Sequence, residues 1–238
     1  MFPDSMIFMK SNCRYEVLSY PINSATPMYG ETPGPVFINY SQITLKNTSN
    51  SCVISVHNHT GTHVDAPKHF VDEGKSISKY SVDELIFNNP IILEFPKNSA
   101  ELITPGDLQP VLHHLQICDC LLLHTGYGQF RNEEKYRTHN PGIAPETILL
   151  IRKEYPNIRC IGIDSISISS FQHRNEGREA HKVAFTKRAG LGEPLLLIED
   201  MKLDIISGKS IEKIFIIPWG IDGIDSAPCN IIAIIRNC

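Results

Sequence analysis

The chain has 238 residues and a net charge of −4, from 22 basic and 26 acidic side chains. Since the sequence shows no basic stripe, nucleic acid is excluded as an expected partner. No segment reaches the ~20 apolar residues of a membrane span, and the amino terminus lacks the continuous apolar stretch of a signal peptide. We therefore expect a cytoplasmic protein, and its length predicts that residues 1–238 form a single domain with one sizeable core.

The cysteine content favours buried thiols over a disulfide framework. The number is odd, and several cysteines lie within apolar runs, as expected for a reducing compartment. No CxxC pair is present, so the sequence does not favour a structural zinc site with cysteine ligands. The seven positions are Cys13, Cys52, Cys118, Cys120, Cys160, Cys229 and Cys238.

Short apolar runs and helical patterns alternate along the chain. Runs rich in Ile, Val and Leu, bounded by Gly, Pro, Asn and Asp, are typical of buried strands. They predict strands at residues 52–57, 90–95, 118–124, 159–164, 195–199, 213–218 and 230–235. Helices are predicted over 107–115, after Thr104-Pro105 as N-cap and first helical residue, and over 145–155 and 174–189. This alternation predicts an α/β domain with a mixed β-sheet flanked by helices.

Residues 57–70, HNHTGTHVDAPKHF, contain four histidines and one aspartate. Gly61 and Pro67 disfavour a helix there. On a flat strand His59 and His63 would lie roughly 13 Å apart, whereas zinc holds its nitrogen ligands at about 2.0–2.1 Å. The chain must therefore fold back between the two histidines, and Gly61 is suited to that turn.

Three residues of this segment predict a metal site. His63 and Asp65 are two residues apart and can reach the same ion that a turn brings to His59. A polar surface loop with coincidental histidines is the alternative, but a cluster with a carboxylate at a fixed step favours a metal. Three ligands are typical of a catalytic site, because structural zinc usually completes its coordination shell with cysteines.

A second group of candidates lies far along the chain. His181 follows a polar stretch that we expect near the carboxyl edge of the sheet, although a lone histidine is more often a hydrogen-bonded structural residue. Glu199 ends an apolar strand, where a bare charge needs a partner. Asp200 and Glu193 compete with Glu199, and strand alternation would place Asp200 on the opposite face.

The segment from His59 to Phe70, HTGTHVDAPKHF, resembles the HxGTHxDAPxHF signature of the cyclase-type metal hydrolases, which include bacterial kynurenine formamidase and isatin hydrolase. Other segments are similar to the family in the same order, so the resemblance covers roughly residues 15 to 235. These segments are Leu18-Ser19-Tyr20-Pro21-Ile22, Thr125-Gly126, Ile161-Gly162-Ile163-Asp164-Ser165, Ala180-His181 and Leu195-Leu196-Leu197-Ile198-Glu199.

The resemblance implies a swivelling β/β/α cyclase-like fold and roles for the candidate residues. It implies two divalent ions per chain, Zn²⁺ or Mn²⁺, with Asp65 as the bridge. One ion would also be held by His59 and His63, and the other by His181 and Glu199. His69 matches the family's general acid/base, and His57 has no role beyond a supporting one. The connection between His181 and Glu199 is longer than in compact relatives and is expected to extend a loop.

The function implied is a metal-dependent hydrolase that uses metal-activated water to cleave an amide C–N bond in a small, aryl-linked substrate. Arylformamidase activity of the kynurenine formamidase type is the leading reading, and opening of a cyclic amide of the isatin type is the alternative. A noncatalytic metal-binding assembly protein is the third. His69 favours the enzyme, because a structural metal needs no spare proton carrier. The family resemblance also implies a homodimer or higher homo-oligomer.

Overall fold

The computed structural model describes residues 13–236, which form thirteen strands and four α-helices joined by short 3₁₀ turns. The strands are β1 (Cys13–Val17), β2 (Val36–Ser41), β3 (Ser51–Ser55), β4 (His63–Asp65), β5 (Ile86–Phe87), β6 (Pro90–Glu94), β7 (Leu102–Ile103), β8 (Cys120–His124), β9 (Gly142–Ile143), β10 (Cys160–Ile163), β11 (Leu196–Glu199), β12 (Ile211–Pro218) and β13 (Ser226–Arg236). The helices are α1 (Pro105–Leu108), α2 (Glu134–Thr138), α3 (Pro145–Glu154) and α4 (Arg174–Phe185).

One large mixed sheet organises the molecule. Its strand order is β5-β12-β13-β4-β11-β10-β8-β6, and β1 pairs with β13. The four strands β6, β8, β10 and β11 are parallel to one another. β4 is antiparallel to both of its neighbours, β11 and β13, and so joins the parallel half of the sheet to the antiparallel half.

The parallel strands are apolar except at the last residues of β6, β8 and β11, which are Glu94, His124 and Glu199, as expected for strands covered on both faces. In β8, Leu122 contributes to a core shared with β12 and β13, whereas Leu121 and Leu123 contribute to a second core beneath α3 and α4. In β11, Leu197 and Ile198 divide between the two cores in the same way. Each strand therefore stabilises two layers.

The sheet curves until β12 approaches β6, which lies at the far end of the strand order. The result is a nearly closed, barrel-like sheet with helices packed on its outer face. This architecture confirms the predicted mixed-sheet α/β fold. No helix within residues 13–236 is long and apolar enough to cross a membrane.

Three predicted elements need correction. Residues 52–57 do not form a buried strand, because β3 ends at Ser55, pairs only with β2, and is exposed along its length. The predicted helix over 107–115 is one α-helical turn followed by a 3₁₀ segment, Gln109–Ile117, and Pro110 within it lacks the amide hydrogen that an α-helix would use. The third helix ends at Phe185, short of residue 189.

The other predicted elements correspond to β6, β8, β10, β11, β12, β13 and α3, with ends shifted by a few residues. The N-cap prediction is confirmed, because the Thr104 side chain and backbone both contact Asp107 in a capping box. Among the described cysteines, Cys118, Cys120, Cys160 and Cys229 are buried free thiols, as expected, whereas Cys52 is exposed. Cys238 lies outside the described residues.

Candidate metal centre

The centre is built on β4, the strand between the two halves of the sheet. Val64 points into the apolar core, so His63 and Asp65 share the opposite face. In the antiparallel pairing with β11, Glu199 lies directly across from His63. Side chains at such opposed positions have their Cβ atoms within about 4.5–5.5 Å. The register of two short strands thus brings the distal carboxylate to the histidine motif.

A turn at Gly61 returns the chain from His59 to His63, as predicted. Gly61 has φ +63°, a left-handed conformation that favours glycine, and a Cβ there would lie 3.3 Å from Ile22. The Gly61 carbonyl lies 2.8 Å from His63 Nδ1. Because a carbonyl only accepts hydrogen bonds, Nδ1 must carry the proton, and Nε2 of His63 is left facing the cluster.

His181 arrives from the middle of α4, whose buried face packs against the sheet. Its Nδ1 donates to the Gly177 carbonyl at 2.9 Å, so its Nε2 is also left free to accept or to bind a metal. Phe70 stacks on the imidazole, with ring centroids 4.8 Å apart. These contacts hold the ring in one orientation before any ligand arrives.

Asp65 occupies the middle of the cluster. Its Oδ1 lies 3.0 Å from His59 Nδ1 and 3.5 Å from His63 Nε2. Its Oδ2 lies 4.0 Å from His181 Nε2. Glu199 closes the other side, with Oε2 3.3 Å from His63 Nε2 and Oε1 3.5 Å from His181 Nε2. The structure therefore brings together all five predicted ligands.

Two sets of three ligand atoms lie within 4.8 Å of one another, and Asp65 belongs to both. One set contains His59, Asp65 and His69, and the other contains His63, Asp65 and Glu199. Asp65, the residue expected to bridge two ions, is the member that the two sets share, and its bridging role stays a prediction. The grouping around it differs from the expected one, because His63 faces Glu199 and His59 lies beside His69.

The atoms at the centre of the cluster fit a divalent metal. Both carboxylate oxygens of Asp65 and Nε2 of His63 are buried, and none has a hydrogen-bond partner within residues 13–236. The neighbouring charged atoms lie 3.0–3.5 Å away but outside the directions that hydrogen bonds require. Buried acceptors without donors are costly, and a cation surrounded by imidazole and carboxylate ligands removes that cost.

The charges of the cluster shift the pKa values of its members. Burial would raise the pKa of Asp65, but the charges of His59 and His63 hold it well below its usual range. Burial likewise opposes ionisation of Glu199, yet contacts with His181 and His63 lower its pKa to about 2. Burial lowers the pKa of His59, but Asp65 and Asp225 outweigh it and raise that pKa to about 10. In the absence of a metal, these shifts favour a protonated His59 beside ionised Asp65 and Glu199.

Asp225 is part of the site and was missed in the sequence. It lies immediately before β13, and its Oδ2 is 3.0 Å from His59 Nε2 and 2.7 Å from His69 Nδ1. Its backbone carbonyl accepts from the amide of Ala66, which holds it beside the motif. The only sequence signal is an acidic residue before a long apolar strand. That signal does not distinguish Asp225 from the nearby, exposed Asp222.

The competing carboxylates have other partners. Asp200 forms a two-pronged ion pair with Arg131, at 2.8 Å to Nε and 2.7 Å to Nη2, and accepts from Tyr136 at 2.6 Å. Glu193 is exposed and lies 3.2 Å from Lys187 Nζ. Glu199, by contrast, is buried in the cluster, where its Oε1 accepts from Ser167 and from the Ile168 amide, each at 2.8 Å.

A cavity with a volume of about 410 Å³ opens onto the cluster. This volume suits a small organic molecule. His57, His59, His63, His69 and His181 all line it. His57 itself is exposed. Its Nδ1 accepts from the His59 amide at 3.3 Å, and the two ring centroids lie 5.5 Å apart.

Comparison with known proteins identifies the family. The Cyclase family model (“Putative cyclase”) matches residues 17–170, more than half of the chain. An uncharacterized protein of Haemophilus influenzae is 35% identical over 115 residues, which are 48% of this chain and 81% of the relative.

Solved structures share the fold. Isatin hydrolase A from Labrenzia aggregata superposes with a TM-score of 0.81 at 20% identity, covering 94% of each chain. A Bacillus stearothermophilus protein described as a “predicted metal-dependent hydrolase” superposes with a TM-score of 0.72 at 22% identity, covering 94% of this chain and 99% of the other. Together with the match to the family model, these findings show that the chain belongs to the cyclase family and has the fold of its metal-dependent hydrolases.

Proposed function

We propose that the protein is a metal-dependent hydrolase that cleaves the amide C–N bond of a small aryl-linked substrate, with arylformamidase activity as the leading reading. The observation that carries the proposal is the buried cluster in which Asp65 and His63 present atoms without hydrogen-bond partners to a cavity of substrate size. The isatin hydrolase fold supports amide hydrolysis as the class of reaction.

The ligands proposed for two divalent ions are His59, His63, Asp65, His181 and Glu199. When bound, such ions supply a nucleophilic hydroxide at neutral pH and polarise the carbonyl under attack. The chain itself fixes the ligands: Gly61 and Gly177 hold the tautomers of His63 and His181, while Ser167 and the Ile168 amide hold Glu199. Zn²⁺ and Mn²⁺ both suit this donor set.

His69 is proposed to carry protons. It lies in the cavity beside the cluster, and its side chain is 27% exposed, so it can reach both substrate and water. Asp225 accepts from Nδ1 at 2.7 Å, which orients the ring. In that arrangement Nε2 is the atom that removes a proton from water and later delivers one to the leaving amine.

The test combines metal content with turnover. Protein stripped by a chelator and reloaded with Zn²⁺ or Mn²⁺ should bind two ions per chain and regain hydrolysis of formanilide, with isatin as the cyclic-amide comparison. The stripped form should be inactive on both. Glu193→Gln is the matched control, because this exposed carboxylate pairs with Lys187 and should keep metal and turnover. Metal-loaded protein that hydrolyses neither substrate would contradict the proposal and favour the noncatalytic reading.

We further propose that the chain forms a homodimer through the hairpin of β2 and β3. Its large apolar side chains are exposed on both faces, which is typical of a surface that a partner covers. Ile38→Lys with Tyr40→Lys should give a monomer that keeps its metal, measured by light scattering during size-exclusion chromatography. A monomeric wild type would contradict the proposal. The exposed side chains are Val36, Phe37, Ile38, Tyr40, Val53 and Ile54.

A further inference from the structure

Two arginines on one helix line the cavity beside the candidate metal centre. Arg174 and Arg178 are four residues apart on α4, so both project from the same side of the helix. This helix also carries His181, one turn further along, at the cluster. The two arginines therefore line the same cavity as the metal ligands.

Neither guanidinium has a carboxylate within 4.0 Å among residues 13–236. Within the described part of the chain, the Arg178 side chain donates one hydrogen bond, to Asn175 Oδ1 at 3.4 Å. Glu31 also lines the cavity and forms no ion pair with either arginine. Glu199 and Asp200 also line the cavity but have the partners described above, so the two arginines outnumber the one remaining carboxylate of the lining.

Arg174 is held in position by apolar contacts. Its guanidinium lies over the ring of Phe171, 4.0 Å from the centroid, and this ring packs edge-on against Tyr29. Gly30 has φ +59°, and a Cβ at this position would come within 3.9 Å of the Arg174 guanidinium. An arginine that is stacked in this way keeps its hydrogen-bond donors directed outward, toward the cavity.

Tyr29 lines the same cavity, near enough to Glu199 and to both arginines for their charges to act on its hydroxyl. Burial, reinforced by the charge of Glu199, raises the pKa of Tyr29 to about 12, while Arg174 and Arg178 act in the opposite direction. The hydroxyl therefore remains a hydrogen-bond donor at neutral pH. One neutral donor and two cations facing the same cavity form a surface that matches a planar anion.

We propose that Arg174 and Arg178 bind a carboxylate carried by the substrate, while its amide carbonyl faces the metal ligands. This inference rests on the proposed hydrolase function and narrows it to N-acyl arylamines or cyclic amides that bear an ionised carboxylate. Arginine is suited to this task because its planar donors match both oxygens of a carboxylate.

The first test measures binding without turnover. Calorimetry with anthranilate and its neutral isostere 2-aminobenzamide, on metal-free and metal-loaded protein, should show that wild type prefers the anion by about 10-fold or more. Arg174→Gln with Arg178→Gln should remove the preference. Arg188→Gln, an exposed arginine of the same chain away from the cavity, should keep it. A preference that survives in the double variant would mean that the metal or another group binds the anion, and would overturn the inference.

The second test measures turnover on N-formylanthranilate and N-formylanthranilamide. The double variant should raise KM for the anionic substrate by about 10-fold or more while changing the kinetics of the neutral one by less than about twofold. Equal losses on both substrates would assign the arginines a structural role and overturn the inference. If anthranilate binding depends on the arginines but neither amide is hydrolysed, the carboxylate site stands and the proposed amide hydrolysis fails.

Discussion

Glu199 and Asp200 are neighbours in the chain, both are buried, and they have opposite environments. Asp200 is neutralised inside the protein, because Arg131 binds both of its oxygens and Tyr136 donates a further hydrogen bond. Glu199 faces histidines, within a cluster whose central carboxylate has no hydrogen-bond donor.

The local backbone separates the two carboxylates. β11 ends at Glu199, and Asp200 adopts a left-handed conformation with φ +53°, which turns its side chain away from the cluster. Thr62 donates to the Asp200 carbonyl, so the turn after β11 is tied to the turn before His63. Such a backbone conformation is unusual for a residue other than glycine or asparagine and is maintained by surrounding contacts.

The comparison teaches how to distinguish a structural carboxylate from a metal ligand. A buried carboxylate needs a partner of opposite charge. If a side chain of the protein supplies that positive charge, the carboxylate is structural, and if none does, the carboxylate is a candidate metal ligand. Arg131 supplies it for Asp200. Around Asp65 and Glu199 the protein supplies neutral or titratable imidazoles, which are themselves metal ligands. Five predictions test this distinction and the roles of the residues around it.

Removal of the shared ligand should have the largest effect. Asp65→Asn should lose bound metal and activity together. Residues that only hold a ligand in place typically change activity by about 10–100-fold, and the loss at Asp65 should be larger. Metal content is measured by elemental analysis beside turnover. His181→Ala is the comparison variant and should mainly lose one of the two ions. An Asp65→Asn protein that retains two ions per chain would contradict the bridging role.

Removal of His69 should separate catalysis from metal binding. His69→Ala should keep its metal content and fold while losing on the order of 10²–10⁴ in kcat, the usual contribution of a positioned acid/base. Asp225→Asn should reduce kcat less, because Asp225 acts through the rings of His69 and His59 and not on the substrate itself. Loss of metal in His69→Ala would instead make this histidine a ligand. Normal turnover with a lowered Tm would make it a packing residue, and either result would contradict the proton-carrying role.

Breaking the internal ion pair should destabilise the fold whether or not metal is bound. Arg131→Ala leaves Asp200 buried without its cation, and we expect a loss of about 3–5 kcal/mol in the free energy of unfolding. The double variant Arg131→Met with Asp200→Asn removes both charges and should recover most of that loss. Urea denaturation of the stripped and loaded forms measures both effects.

Glu199→Gln is the counterpart of that experiment on the metal side. It should lower the stability of the loaded form by more than that of the stripped form. In both forms the change weakens the contacts with the imidazoles, Ser167 and the Ile168 amide, whereas only the loaded form also loses a proposed metal ligand. If Glu199→Gln destabilised both forms equally, Glu199 would resemble Asp200 and the distinction between the two carboxylates would fail.

The smallest expected effect is on the pH dependence of stability. The pKa of His59 is raised from 6.5 in the unfolded chain to about 10 in the stripped protein, so its contribution to stability is fully present below pH 6.5 and is lost as pH rises through 10. Metal displaces that proton, so the gain in Tm on loading should grow between pH 6.5 and 9. His59→Gln should flatten the pH dependence of the stripped form. A gain in Tm that does not change with pH would contradict protons as competitors of the metal.

Much of this protein was predictable from its residues because the information is local. The motif around His59, His63 and Asp65 places several ligand types within a few residues, and Gly61 marks the turn that they require. The apolar runs predict the strands of the parallel half, since a strand buried on both faces is apolar along its whole length. The apolar pattern of residues 52–57 did not reveal that β3 is exposed. A strand that packs against the protein's own core and a strand that packs against a second chain can have the same apolar pattern.

Tertiary structure decided the contacts that join distant segments. The pairing of β4 with β11 sets Glu199 opposite His63, and a shift of one residue would have turned Glu199 to the other face of the sheet. Asp225 reaches His69 only because β13 begins beside β4. Arg131 comes from a loop that no local pattern connects to Asp200. Register and loop placement depend on the packing of the whole sheet, whereas ligand type, turn chemistry and apolar pattern are properties of a short stretch of chain.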